Sequence, residues 1–579
     1  MFVRVKRAGK YEYLQLVENR REGKKTRQRI IATLGRLDQL HAKGQVDAMI
    51  RSLGRFAERL QIQEAHANGE LEALSTRRIG PALVFGRLWK ELKIDRILTD
   101  HLAGRKFQFD VERAIFATVV HRLFESGSDR QGMRFLRDVD IPGTDELDLH
   151  HMYRAMAWLG ENKEEIEEDL FHLNRDLFTE LSLVFFDTTS FYFEGAGGDE
   201  LGRYGHSKDH RPDLHQVVVG ALLTQEGRPL SMTVDPGNSS DAHALLPVVE
   251  RARERFGLNK VCFVADRGMV SSSVIAELET RGIEYILGMR MRRVREVKEK
   301  VLSHPGRYQQ VEENLYVKEV KVDGRRYIVC YNPDQAKKDA KDRALILEGL
   351  EKRLDQGAKA LVGNRGYRRY LIAEKDAVRI DYAKVQEEAR YDGKWVLRTN
   401  TDLPAGEVAL QYKHLLTVER FFRAAKSLLE TRPIFHRTDL AITGHLFTSF
   451  LALLLMHELT KRLHRRGWKL EWADILRDLL ALEEVEVRHQ GKRYLLRTPL
   501  KGVCGKVLQG AGVAIPPSVR EVNEECGAKT ETYPKNCVSP RSVVQVHTSG
   551  RTVGVVHSSL RGWWVRAFST TDPVGSPPG

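Results

Sequence analysis

The sequence predicts an α/β fold built on a mixed sheet, and three features between residues 183 and 290 predict it. Short apolar runs such as LVFF and VCFVA have the length and composition of buried strands. Two longer runs flank the turn Glu226-Gly227-Arg228 and predict an antiparallel hairpin. After this hairpin, segments with helical periodicity alternate with further predicted strands. This succession is typical of a mixed sheet flanked by helices.

Two of the predicted strands end in an aspartate. Asp187 follows the apolar residues 184–186, and Asp266 follows the run VCFVA. Open α/β sheets place their sites at the carboxyl ends of strands, so the two aspartates form a candidate site. The ordinary alternative for either one is a turn-forming role, because aspartate also starts turns at strand ends.

The first 180 residues predict a β-hairpin followed by a helical region. Residues 2–34 alternate apolar and polar positions around a charged loop at 18–25, whose basic residues are either a solvated tip or a phosphate contact. Helical patterns cover 38–74 and 81–180, with Asp110 as a predicted helix N-cap. A DNA-binding module and an ordinary helical bundle both fit this region.

The second half of the chain predicts an insertion, a return to helix and a tail. Short β runs and a charged helix near 334–356 predict a β-rich insertion, which we expect to be a separate domain and not a continuation of the sheet. Helical spacing returns at 409–430, and the tail after Pro517 has the composition of a poorly ordered segment. The predicted units are 1–80 (N-terminal β-hairpin and helix), 81–180 (helical, DNA-binding), 181–290 and 406–465 (two parts of the sheet core), 291–405 (β-rich insertion), 466–517 (C-terminal region) and 518–579 (disordered tail).

Composition favours a multidomain protein with a polyanionic partner. The 579 residues suggest three or four structural units, and 93 Lys and Arg against 79 Asp and Glu leave a net charge of +14. The five cysteines lack any C-x-x-C spacing, which favours a reducing, cytoplasmic compartment over a disulfide framework or a zinc knuckle. The most apolar segment, 446–456, is too short to cross a bilayer, so we expect a buried helix and no membrane.

A third carboxylate belongs to the predicted helix at 409–430. Tyr412, Glu419 and Lys426 recur every seven residues and therefore share one helix face. Leu415 and Phe422 fall on the same face, so Glu419 is expected to point toward the core. A carboxylate buried there is costly unless it is paired or bound to a metal.

Together, the three carboxylates predict a metal site. Asp187, Asp266 and Glu419 offer the oxygen ligands that Mg²⁺ prefers, and Mn²⁺ is an expected substitute. The alternative for Glu419 is an ion pair within its helix, to Arg423 or Lys426. Three histidines near the first aspartate lack the spacing of a zinc site: His206, His210 and His215.

Five stretches carry a resemblance to a known family: FFDTTSFYFEG, GHSKDHRPDLHQVVVGALL, DPGNSSDAH, FVADRGMVS and VERFFRAAKSLLETRPIFH. In this order they resemble the DDE transposases of bacterial insertion sequences, in the branch marked by a Tyr-x2-Arg-x3-Glu-x6-Lys signature. The resemblance runs from the first residue to about Pro517. It implies an RNase H-like core interrupted by a β-rich insertion, with Asp187, Asp266 and Glu419 as the catalytic, metal-binding triad.

The signature itself is matched at three of its four positions. Tyr412, Glu419 and Lys426 occupy the correct intervals, whereas Leu415 stands where the family has arginine. If that arginine matters here, Arg420 or Arg423 would have to replace it.

Further residues are expected to contact DNA. Lys208, Arg211 and Arg267 lie beside the predicted site and either hold phosphates or are simply solvated. The resemblance implies that an insertion-domain tryptophan stacks on a flipped base, and Trp395 is similarly placed, with an ordinary core role as its alternative. The full DNA-binding prediction is Lys208, Arg211, Arg267, Trp395, Tyr412, Arg423 and Lys426.

The function implied is DNA transposition. The protein is expected to bind the terminal inverted repeats of its element, cleave there with Mg²⁺ and join the 3′-hydroxyl to target DNA, acting as a homodimer near the bacterial nucleoid. Two alternatives remain at this point. One is an RNase H-like nuclease that hydrolyses DNA without joining it, and the other is a catalytically impaired DNA-binding derivative.

Overall fold

The computed structural model describes residues 1–22, 25–54, 65–174, 182–257, 261–354, 369–373 and 378–522. These residues form a mixed α/β structure with one large sheet whose two faces are covered by separate apolar clusters. The predicted α/β class with a mixed sheet is therefore confirmed.

The chain begins with a meander of three antiparallel strands, so the prediction of a simple hairpin was incomplete. The elements are β1 (Phe2–Ala8), β2 (Tyr11–Glu22), β3 (Lys25–Arg36), α1 (Leu37–Ala42), α2 (Gln45–Gly54) and β4 (Leu71–Arg78). The predicted loop at 18–25 is mostly strand, because residues 18–22 continue β2 and Lys25 opens β3. These strands are largely exposed, so charged side chains do not interrupt their pairing. Residues 23 and 24 lie outside the described part.

Six helices occupy residues 80–174, where the sequence predicted a helical region. They are α3 (Gly80–Glu91), α4 (Ile94–Leu102), α5 (Val111–Phe124), α6 (Asp129–Asp138), α7 (Leu149–Glu161) and α8 (Lys163–Asn174). The predicted N-cap is confirmed, since the Asp110 carboxylate accepts a hydrogen bond from the Arg113 amide at 3.0 Å.

The centre of the large sheet comes from residues 183–288. Its elements are β5 (Leu183–Tyr192), β6 (Gln216–Thr224), β7 (Pro229–Pro236), α9 (Asp241–Phe256), β8 (Cys262–Ala265), α10 (Ser272–Thr280) and β9 (Tyr285–Gly288). Strands β5, β6 and β7 are antiparallel neighbours, whereas β8 runs parallel to β5 and β9 runs parallel to β8. The predicted hairpin between β6 and β7 is confirmed.

The insertion continues this sheet, so the expectation of a separate domain was wrong in that respect. It contains β10 (Gln309–Glu312), β11 (Leu315–Val322), β12 (Arg325–Tyr331), α11 (Pro333–Leu354), β13 (Leu371–Ala373), β14 (Val378–Ile380), α12 (Tyr382–Ala389) and β15 (Lys394–Thr399). The nine strands are ordered β10-β11-β12-β15-β9-β8-β5-β6-β7. Strand β15 joins the two parts by pairing with both β12 and β9. Periodicity identifies strands but not their partners, which explains the error.

The predicted helix at 409–430 is interrupted. It consists of α13 (Ala405–Lys413), α14 (Leu415–Arg423) and a π-helical turn at Ala424–Leu428, followed by the long helix α15 (Asp439–Arg465). Helix α15 has the length and apolar composition of a membrane span, but 78% of its most apolar window is buried in the fold. It is thus a core helix, as predicted for residues 446–456.

The C-terminal region pairs with an N-terminal strand. Its elements are α16 (Trp472–Leu480), β16 (Glu483–His489), β17 (Lys492–Arg497), α17 (Cys504–Ala511) and β18 (Val519–Val522). These strands and β4 form a four-stranded sheet with the order β18-β17-β16-β4. Strand β4 lies where a helix was predicted, so that expectation was wrong. The predicted tail begins with a strand, β18, and its remainder from residue 523 lies outside the described residues.

Two glycines allow α7 and α15 to approach each other closely. A Cβ atom on Gly160 would overlap the Leu440 carbonyl, and one on Gly444 would overlap the Met156 carbonyl. The helical region at 80–174 is thereby packed directly on α15.

We expect Gly444→Ala to lower the thermal unfolding midpoint, because the new methyl group would push α7 and α15 apart at a cost of about 1–3 kcal/mol. Gly86→Ala on α3 is the matched control. Its new Cβ would meet only Phe116 Cζ at 3.6 Å, and alanine is the better helix former, so its midpoint should be unchanged or higher. Equal midpoints for the two variants would contradict the close helix contact.

Candidate active site

Asp187 and Asp266 lie side by side on one face of the sheet. Asp266 follows the end of β8, as predicted. Asp187 instead lies within β5, so the expectation that it ends its strand was wrong, because residues 188–192 continue the ladder with β6. Strands β5 and β8 are parallel, and Phe186 is the partner of Ala265, so Asp187 and Asp266 follow at the same level. Adjacent strands are about 4.8 Å apart, and side chains alternate between faces. Phe185 packs in the cluster that also contains residues of α13 and α14, and Asp187 points to that same face.

Tyr412 connects helix α13 to this pair. Its hydroxyl donates a hydrogen bond to Asp266 Oδ1 at 2.6 Å. Burial raises the pKa of Tyr412 far above its usual value, and the negative charge of Asp266 adds to that shift. The phenol therefore stays protonated and remains a donor to the carboxylate.

Glu419 is exposed on α14, so the expectation that it points into the core was wrong. The interruption at His414 separates Tyr412 from Glu419, and the two no longer lie on one continuous helix. On α14 the buried stripe is Leu415, Val418 and Phe422, and Glu419 lies at its edge. This position places the carboxylate at the protein surface beside the aspartates.

One cavity of about 520 Å³ gathers all three carboxylates. Its ionisable lining residues comprise four acids and four bases: Asp187, Asp209, Asp266, Glu419, Lys208, Arg423, Lys426 and Arg432. An equal number of opposite charges in one concave site suits a ligand that brings both cations and anions, such as a metal ion with a phosphate group.

The acidic side of the cavity has the donor chemistry of a hard-metal site. Three carboxylates supply oxygen ligands, which Mg²⁺ and Mn²⁺ prefer, so the residues fit such an ion. Within the described ranges, no three acidic, histidine or cysteine side chains are already close enough to hold a metal.

The basic side of the cavity is held by hydrogen bonds. Lys208 Nζ donates to the Thr188 carbonyl at 2.7 Å and to Thr188 Oγ1 at 2.9 Å. Lys426 Nζ lies 2.8 Å from Asp209 Oδ1, and Arg432 pairs with the same oxygen. Burial lowers the pKa of Lys426, although the hydrogen bond to Asp209 opposes that shift.

Sequence reasoning missed Asp209 and Arg432 as site residues. Both lie in stretches that carry the family resemblance, GHSKDHRPD and TRPIFH. For Asp209 the sequence does contain a signal, because this carboxylate stands among basic residues in a loop between two predicted strands. No local pattern distinguishes Arg432 from a solvated arginine.

Of the other residues predicted to contact DNA, one lines the cavity and three lie outside it. Arg423 lines the cavity, whereas the exposed Arg267 follows Asp266 outside the lining set. Arg211 forms an exposed ion pair with Asp213 at 2.9 Å. Trp395 lies on β15 opposite Cys330 and packs against the main core, which favours its core alternative.

Leu415 is buried, with 8% of its surface exposed, and does not line the cavity. A charged arginine would not be accommodated there without rearrangement. Arg420 and Arg423 instead flank a neighbouring shallow depression.

Comparison with known proteins identifies two domains. Residues 2–66 match the IS1634 family transposase N-terminal domain, and residues 179–455 match the transposase DDE domain. The chain is therefore similar to DDE transposases over these two ranges. Every residue lining the candidate cavity lies within the range that matches the DDE domain.

Solved transposase structures show only distant similarity. One is the piggyBac transposase synaptic complex with hairpin DNA, with 10% identity, a TM-score of 0.35, and coverage of 69% of this chain and 79% of that chain. Another is the Mos1 transposase paired-end complex with the left transposon end, with 16% identity, a TM-score of 0.14, and coverage of 33% of this chain and 57% of that chain. No curated protein matches the sequence.

We expect Tyr412→Phe to lower the thermal unfolding midpoint, since a largely buried hydrogen bond to a carboxylate contributes about 1.5–3 kcal/mol. Tyr382→Phe is the matched control, because its hydroxyl also donates to a carboxylate, that of Glu351, at 3.1 Å on the surface. The control should shift the midpoint much less. Equal shifts of the two midpoints would show that the hydrogen bond from Tyr412 to Asp266 stabilises the fold no more than an exposed one does.

Proposed function

We propose that this chain is the transposase of an insertion sequence, which binds the inverted repeats at the element ends, cleaves DNA there and joins the freed 3′-hydroxyl to target DNA. The observation that carries the proposal is the cavity that gathers Asp187, Asp266 and Glu419 beside a set of cations. The matched DDE domain supports the same reaction class.

Asp187, Asp266 and Glu419 would hold the metal. Two Mg²⁺ ions held by these carboxylates would supply activation of a water or 3′-hydroxyl and stabilisation of the leaving oxygen. Mn²⁺ is expected to substitute, because its ligand preference is similar.

The side chains of the protein position this chemistry. Tyr412 orients the Asp266 carboxylate through its hydrogen bond. Lys208, Arg423 and Lys426 line the cavity as cations that neutralise a DNA phosphate. Strand β5 holds Asp187 rigidly, because it is paired on both edges.

The fold supports an RNase H-like catalytic core. Three antiparallel strands, β7, β6 and β5, are followed by the parallel strands β8 and β9 with helices between them, as the family resemblance implies. The net charge of +14 favours DNA as partner, and the N-terminal domain together with the helices at 80–174 is our candidate for recognising the element ends. A homodimer that pairs two ends is part of the proposal.

Membership of the Tyr-Arg-Glu-Lys branch stays a prediction that rests on Tyr412, Glu419 and Lys426. The departure at Leu415 no longer argues for an impaired protein, because Leu415 is a core residue and does not line the cavity. An assay that offers a pre-cut 3′-hydroxyl end together with a plasmid target distinguishes a transposase from a nuclease that hydrolyses DNA without joining it. Joined product supports transposition, and hydrolysis alone supports the nuclease.

We expect Asp187→Asn, Asp266→Asn and Glu419→Gln each to slow Mg²⁺-dependent cleavage of end-containing DNA by at least about 100-fold. Residues that only orient a metal ligand already cost roughly 10–100-fold when mutated, and a ligand should cost more. The measurement is a single-turnover cleavage assay on labelled end DNA.

Asp323→Asn is the matched control, because Asp323 is an exposed aspartate paired with Lys300 outside the cavity. This variant should cleave at the wild-type rate. Cleavage at the wild-type rate by Asp187→Asn or Asp266→Asn would refute the proposed metal site.

A further inference from the structure

Asp209 is an almost completely buried carboxylate at the wall of the cavity. It belongs to the loop between β5 and β6, and only 6% of its side chain is exposed. Its Oδ1 atom is shared by Lys426 and Arg432, which reach it from the segment after α14. Its Oδ2 atom is buried, without a hydrogen-bond partner in the part of the chain that the structure describes.

Acids and bases are equal in number over the whole cavity, but the charges do not balance locally at Asp209. Lys426 and Arg432 both contact this one carboxylate, which leaves one positive charge at this wall of the cavity. Both cations are themselves largely buried, with 13% of the Lys426 and 26% of the Arg432 side chain exposed. Buried charges are costly unless they are paired, so the arrangement favours one additional anion.

The backbone between the two cations is fixed by a chain of hydrogen bonds. Thr431 Oγ1 donates to the Ala425 carbonyl at 2.8 Å, and His445 Nε2 lies 3.0 Å from the Thr431 carbonyl. Arg122 donates to His445 Nδ1 at 2.6 Å. Burial and the charge of Arg122 lower the pKa of His445, so the neutral ring can accept at Nδ1 and donate at Nε2.

We propose that Lys426 and Arg432 form a two-cation site for one DNA phosphodiester and that Asp209 is the positioning residue that holds them together. One phosphodiester charge completes the balance of two cations and two anions. The inference rests on the proposed function, and it adds Arg432 and Asp209 to the residues that handle the DNA strand. The side chain of Arg432 also lies over the Tyr192 ring at 5.5 Å, which restricts its orientation.

The first test is the salt dependence of binding to DNA that contains an element end. Each phosphate neutralised by a protein cation contributes about −0.9 to the slope of log K against log salt concentration. Arg432→Gln should therefore reduce the magnitude of the slope by about 0.9, and Arg432→Lys should restore it. Arg281→Gln is the control, because Arg281 is paired with Glu277 next to α10, outside the cavity, and its slope should equal that of wild type.

The second test separates positioning from folding. Asp209→Asn keeps the size of the side chain and removes one negative charge, so DNA binding should be as tight as or tighter than in wild type. Single-turnover cleavage should nevertheless fall by at least about 10-fold, because the cations lose their anchor. A purely structural role would instead weaken binding, cleavage and thermal stability together, and that result would overturn the assignment.

The two proposals fail differently. If wild-type protein shows no metal-dependent cleavage, the proposed function fails, and the salt slopes still report whether Arg432 binds a phosphate. If wild type cleaves while Arg432→Gln keeps the full slope, or while Asp209→Asn cleaves at the wild-type rate, the two-cation site is wrong and the proposed function stands.

Discussion

The parallel pairing of β5 with β8 is the constraint on which the candidate site depends. It brings two residues that are far apart in sequence, Asp187 and Asp266, to the same level and the same face of the sheet. Strand β5 is also paired with β6 along its other edge, where Asp187 is the partner of Ala221, so Asp187 cannot shift without breaking that ladder. The elements that approach this face, α13 and α14, add Tyr412 and Glu419 to a position that the sheet has already defined.

The adjacency of the two aspartates could be predicted because it follows from local features, namely two short apolar runs that each end in a carboxylate. The exposure of Glu419 could not be predicted from that pattern. Leu415 and Phe422 are buried as their spacing indicates, but the buried stripe is centred on Val418, which leaves Glu419 at its exposed edge. Spacing assigns residues to a face of the helix but does not show where the buried part of that face ends.

Pairing between distant segments was the other part that could not be predicted. The strands of the insertion were expected, but their place in the central sheet depends on β15 meeting β9 across more than 100 residues. Asp209 and Arg432 likewise acquire a role only through a contact that spans two elements. Periodicity describes which face of an element is apolar, whereas partner choice depends on the whole fold.

The pairing of β4 with β16 has a consequence for synthesis on the ribosome. Strand β4 ends at Arg78, and its partner begins at Glu483, roughly 400 residues later. At about 5–20 residues per second, β4 waits roughly 20–80 s before its hydrogen-bonding edge is covered. An uncovered strand edge is a template for association with other chains. Charged side chains on such an edge disfavour this association, and β4 carries Glu72, Arg77 and Arg78.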